Sequence, residues 1–141
     1  MHISPCGWYC FQLDSPYVTI TDTQEKTEIK ANDFSYVIEL LCARKEEIVQ
    51  PEDISQIHED YLKNTRFKAS KSVMAENSFG VHYYLTRSSE KTRPYTIVCH
   101  LFWSQYCLFL HFSGDNERYA RALPETLFNL LQTIQPLTFD T

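Results

Sequence analysis

Residues 94–112, PYTIVCHLFWSQYCLFLHF, are the longest apolar run in the chain, and Ser104 and Gln105 break it at the centre. β-Branched and aromatic residues crowd both halves, so the run predicts a β-hairpin that turns at Ser104-Gln105. It is too polar to cross a bilayer, because His100, His111, Thr96, Ser104 and Gln105 fall inside the roughly 20 residues a crossing needs. A turn at that point pairs Phe102 with Cys107, Leu101 with Leu108, His100 with Phe109, Cys99 with Leu110 and Val98 with His111. Strand side chains alternate between faces, which sorts the hairpin into two sides. Ile97, Cys99, Leu101, Leu108, Leu110 and Phe112 make the expected core side. Val98, His100, Phe102, Cys107, Phe109 and His111 make a second side that is apolar but mixed.

Working outward, residues 79–87 alternate again, with Val81, Tyr83 and Leu85 on one face and His82, Tyr84 and Thr86 on the other. Asn77-Ser78 followed by Gly80 marks the turn before them, residues 67–75 alternate weakly, and residues 88–93 read as a polar loop. Residues 34–43 form a strand with Phe34, Tyr36, Ile38 and Leu40 on one face and Val37, Leu41 and Ala43 on the other. Residues 7–13, 17–21 and 25–30 predict three shorter strands. Pro51 suits a first helical position, Glu52 and Asp53 favour the positive helix start, and Ile54, Ile57, Tyr61 and Leu62 recur at helical spacing. A helix is therefore expected over about 51–64. Ala120, Leu123, Leu127, Leu130, Leu131 and Ile134 predict a second amphipathic helix, kinked at Pro124 or beginning near Leu123, and stopped by Pro136.

The expected order is β-β-β-β-α-β-β-β-β-α. Short turns between the later strands require antiparallel pairing, so the class is α+β, an antiparallel sheet of about 7–8 strands with two amphipathic helices packed on it. The 141 residues suit a single domain, 1–141. A composition of 43% hydrophobic and 22% charged residues is that of a globular chain, which argues against disorder.

Several of these features together resemble the PsbP-like fold, over about residues 34–137. They are the helix opened by Pro51-Glu52-Asp53, the strand after Phe67, the Asn77-x-x-Gly80 turn into the aromatic strand of His82, Tyr83 and Tyr84, two further strands, and a closing helix ending LLQTIQPL. The family includes DcrB-type bacterial proteins, chaperones of type VI secretion effectors and a Ran-binding nuclear import factor. The N-terminal third departs from it, lacking the usual apolar stretch and Pro-Gly turn. The resemblance implies a binding role for this chain.

The residues set limits on chemistry. A net charge of −5 argues against nucleic acid, whose binding rests on Lys and Arg neutralising phosphates, and favours a basic partner. The start, MHISPCGWYC, has neither a basic nor an apolar leader segment, so a cytoplasmic location is expected. Five cysteines without a CxxC pair, with Cys99 and Cys107 on opposite hairpin faces, predict free thiols rather than disulfides or zinc. With no nucleophile elbow, P-loop, dinucleotide fingerprint or zinc-protease motif, no catalytic residue and no cofactor is expected.

The candidate partner-binding residues lie on the second sheet face: His82, Tyr84, His100, Phe102, Phe109 and His111, some of which are expected to line an open concavity rimmed by Glu52 and Asp53. Trp103 and Tyr106, at the root of the hairpin turn, are a second choice if that turn protrudes. The resulting expectation is a noncatalytic protein-binding module of a bacterial cytoplasm, an immunity protein or a chaperone of a secreted effector, with one dedicated basic partner. The alternatives are a small-molecule or metal-binding domain using His82, His100 and His111, or a GTPase-binding factor. Free sheet edges would also allow a homodimer.

Overall fold

The computed structural model describes residues 1–13, 18–33, 35–66, 72–88, 96–114 and 125–137. In chain order its elements are β1 (His2–Ile3), β2 (Tyr9–Phe11), β3 (Val18–Asp22), β4 (Lys26–Ala31), β5 (Tyr36–Arg44), α1 (Pro51–Asn64), β6 (Val73–Glu76), β7 (His82–Arg87), β8 (Thr96–Trp103), β9 (Tyr106–Gly114), α2 (Glu125–Thr133) and β10 (Gln135–Pro136). Phe34, residues 67–71, most of the 88–93 loop, and Ala120, Leu123 and Pro124 of the expected second helix lie outside the described residues.

The β8–β9 hairpin pairs as its composition predicts, Phe102 opposite Cys107 through Val98 opposite His111, and Ser104 takes the left-handed φ of 48° at the turn. Seven strands form one antiparallel sheet in the order β3-β4-β5-β9-β8-β7-β6, which makes the fold α+β. The single sheet expected from sequence is divided, however. The first strand predicted, 7–13, contributes β2 to a separate three-stranded sheet ordered β1-β2-β10. Tyr9, Cys10 and Phe11 are all buried, the pattern of a strand covered on both sides rather than of a sheet edge.

The two helices lie on opposite faces of the main sheet. On one face Leu127, Leu130, Leu131 and Ile134, with Tyr9 and Phe11 of the small sheet, close over Ile38, Leu40, Tyr83, Leu85, Ile97, Cys99, Leu101, Leu108, Leu110 and Phe112. Asn77 joins this layer to the sheet: its Nδ2 donates to the Leu131 and Ile134 carbonyls, both at 2.9 Å, groups that a helix end leaves without partners. Its Oδ1 accepts from the Phe79 and Val81 N–H groups at 2.9 and 3.1 Å, shaping the turn in which Gly80 adopts a φ of 79°. On the other face α1 crosses β7 and β8, and Ile54 and Ile57 pack with Val49 on Phe102 and Cys107.

Trp103 and Tyr106 are buried, not displayed at a protruding turn. They stack on each other at 5.9 Å, with Tyr9 edge-on to Trp103 and Trp8 against Tyr106. The turn itself is clasped by the segment before α1. Lys45 N–H donates to the Gln105 carbonyl at 2.6 Å, Val49 N–H to the Ser104 carbonyl at 2.8 Å, and Gln105 Nε2 to the Glu46 carbonyl at 2.8 Å.

Candidate functional site

The second face of the sheet carries the residues singled out from sequence, and α1 decides which of them a partner can reach. Its apolar stripe runs through Ile54, Ile57 and Tyr61, and one turn after Ile54 the same stripe presents His58, which is fully buried. His58 Nδ1 lies 2.8 Å from His100 Nδ1, and its Nε2 lies 2.6 Å from Thr86 Oγ1, which in turn contacts Ser72 Oγ. A contact between two Nδ1 atoms needs one N–H donor and one lone pair, so the two imidazoles hold opposite tautomers at that nitrogen. Burial pushes the pKa of each down to about 4, with His58 and Lys45 adding to the effect at His100. Near neutral pH both rings are uncharged.

Aromatic groups wall this pair. Tyr84 meets His58 edge-on at 4.8 Å, Tyr61 meets His100 edge-on at 5.7 Å, and Phe109 lies between Tyr61, at 4.8 Å, and His100, at 5.1 Å. The expected open concavity is therefore filled at its centre, because His100 and Phe102 are buried beneath α1. Tyr84, Phe109, His82 and His111 remain half-buried around it. His82 stacks on Phe102 at 5.2 Å with its Nε2 3.8 Å from Glu76, and His111 sits 6.5 Å from the Phe109 ring. The pairing register sets His82, His100 and His111 on a diagonal across β7, β8 and β9. Among the described residues no group of three or more His, Cys, Asp or Glu side chains is placed to hold a metal ion.

Beyond α1 the same face mixes charged and apolar groups. Lys26, Glu28 and Lys30 of β4 stand opposite Leu41, Glu39 and Val37 of β5, and Lys26 reaches Glu39 at 3.9 Å.

The accessible feature beside α1 is a groove of about 480 Å³ lined by Lys45, Glu46, Glu47, Ile48, Val49, Asp53 and Ile57. The three hydrogen bonds that clasp the hairpin turn fix its wall. Asp53 is held too, its carboxylate accepting the Gln50 N–H at 3.1 Å to cap α1. Glu46, Glu47 and Asp53 are exposed along its lining, and Ile48 stands among them 63% exposed.

Glu52 and Asp53 thus lie where the sequence places them, at the start of α1, but Asp53 lines this groove and not a concavity of His82, Tyr84 and Phe109. Sequence reasoning missed His58, although its spacing from Ile54 and Tyr61 marks it as facing the sheet. It also passed over Ile48, an apolar residue inside the polar 45–50 segment. No helix among the described residues is long and apolar enough to cross a membrane. Comparison with protein-family models and with curated proteins finds no match to this chain.

Proposed function

We propose that the chain is a noncatalytic protein-binding module that docks one basic partner on the groove between the β5–α1 connection and the first turns of α1. The observation that carries this reading is Ile48, a large aliphatic side chain 63% exposed, fixed on a hydrogen-bonded loop and surrounded by carboxylates. An apolar anchor inside a charged rim is the composition of a protein interface, where the anchor supplies affinity and the rim selects the partner. The chain's net charge of −5 supports a cationic partner. Within this class the role is that of an immunity protein or an effector chaperone in a bacterial cytoplasm, where the partner is a basic secreted toxin or effector.

The test is recovery of the native complex from source cells, followed by measurement of partner affinity for three variants. Ile48→Asp should weaken the complex at least about tenfold, as expected for an anchor residue. The pair Glu46→Lys and Glu47→Lys should slow association and flatten its salt dependence. Phe128→Ser, at an exposed position on α2 of the opposite layer, should leave affinity unchanged. Equal affinity for all three proteins would remove the groove from consideration.

A further inference from the structure

The connection from β1 to β2 turns on Ser4-Pro5-Cys6-Gly7, with the Gly7 N–H donating to the Ser4 carbonyl at 3.0 Å and Gly7 itself at a φ of 75°. Pro5 presets the first central position of this turn, which leaves Cys6 at its tip. The Cys6 thiol is exposed and lies 3.3 Å from Ser4 Oγ. Cys42 stands near the end of β5, on the same side of the strand as Leu40, and is half-buried.

Both thiols wall one cleft of about 290 Å³, together with Trp8, Tyr9, Lys26 and Thr27. Burial holds the Cys42 thiol well above its ordinary range, and Cys6 is the first neighbouring group to push the same way, ahead of Cys107. The other cysteines are placed differently. Cys10, Cys99 and Cys107 are buried, and Cys99 and Cys107 belong to opposite faces of the sheet.

From this cleft we infer that Cys6 and Cys42 form a reversible disulfide, a modification site open to small disulfide oxidants of the oxidised-glutathione class. Cys6 is the thiol such an oxidant reaches. Its thiolate attacks one sulfur of oxidised glutathione, that S–S bond breaks, and one glutathione thiolate leaves and takes up a proton. The thiolate of Cys42 then attacks the Cys6 sulfur of the mixed disulfide, displacing the second glutathione, which is protonated in turn. Two protein thiols are oxidised and one oxidised glutathione is reduced to two thiols.

The second step needs the Cys42 thiolate, which burial disfavours, so the mixed disulfide forms first and resolves faster as pH rises. The finished bond ties the small sheet's first turn to β5 of the main sheet. It also closes a long loop in the unfolded chain, and a gain of ~10 °C in Tm is expected from loop closure of this kind.

The experiment exposes the folded full chain to oxidised glutathione, quenches with acid, alkylates the free thiols and maps peptides without reduction. The expected product is a linked pair carrying Cys6 and Cys42, two hydrogens lighter than its separate halves and released by reductant. Cys6→Ser, a change at an exposed turn that leaves the core untouched, abolishes both the linked pair and the rise in Tm. The inference is overturned if Cys6 stops at the glutathione adduct at every pH, if the linked pair contains Cys10, Cys99 or Cys107, or if all five thiols stay open to alkylation.

Discussion

The two faces of the β8–β9 hairpin come from alternate residues of the same nineteen-residue stretch, and they are built on different physics. On the α2 side, Cys99, Leu101, Leu108, Leu110 and Phe112 are wholly buried among aliphatic and aromatic groups. On the α1 side, His100 and Phe102 are also buried, yet a hydrogen-bonded chain of Ser72, Thr86, His58 and His100 runs between helix and sheet. The first face supplies undirected burial energy. The second fixes where α1 sits, because a buried imidazole left without its partner costs more than a shifted methyl group. What the comparison teaches is that a covered face need not be a dry one, and that the helix sealing it sets the geometry of the groove at its edge.

The largest expected effect lies on the dry face. Leu101→Ala or Leu110→Ala should lower unfolding free energy by about 2 to 5 kcal/mol in urea titrations, the cost of lost burial plus a cavity. A loss as small as that of a surface substitution would mean that this face is not the main core.

Acid should weaken the other face. His58 and His100 have folded pKa values near 4 against an ordinary 6.5, so the unfolded chain takes up protons first as pH falls. Their contribution is therefore intact above about pH 6.5 and is lost toward pH 4, at up to about 1.4 kcal/mol per pH unit for each ring. Below the folded values the loss levels off. A second proton on the pair would set two N–H donors against each other, so the two rings should not titrate independently. Replacing both histidines by leucine should flatten the stability profile between pH 6.5 and 4, and an unchanged slope would place the acid sensitivity elsewhere.

Next in size is the network itself. His58→Ala strands His100 Nδ1, while the Thr86 hydroxyl keeps Ser72, and should cost about 1 to 3 kcal/mol for the buried group left unsatisfied. Combined with His100→Ala the losses should fall short of their sum, since both substitutions remove one shared contact. Strict additivity in that cycle would show that the 2.8 Å contact carries no coupling energy. Smallest of all, Ile48→Ala should change stability by less than about 0.5 kcal/mol, because its side chain is mostly in solvent. A larger loss would make Ile48 part of the fold rather than of the proposed docking surface.

The hairpin was legible because period-2 alternation and a two-residue polar break specify register and faces together. The same alternation puts Trp103 with Leu101 and Tyr106 with Leu108 on the core side. As a second choice of contact the two rings depend on a protruding turn, and the period argues against it. Helix α1 was legible to its ends, since Pro51, the two acids after it and the 54–57–61 stripe are all local signals. His58 escaped because hydropathy scores an imidazole as polar, whereas its position on the stripe is that of a core residue.

The separate small sheet was not legible at all. β2 pairs with β10, and Thr133 Oγ1 donates to the Gln12 carbonyl across a separation of 121 residues, a closure no local pattern encodes. The groove is lined by the single stretch 45–57, and what no local pattern encodes is the clasp of that stretch onto the distant hairpin turn at Ser104 and Gln105.

Helix α1 covers His100 and Phe102, and the proposed docking surface lies beside it. Amide hydrogen exchange of the chain with and without its captured partner tests this directly. The account predicts new protection confined to residues 45–57, with 82–87 and 98–111 as slow to exchange before binding as after. New protection across 82–87 together with faster exchange in α1 would contradict it, since that result requires the helix to lift and the partner to occupy the face beneath.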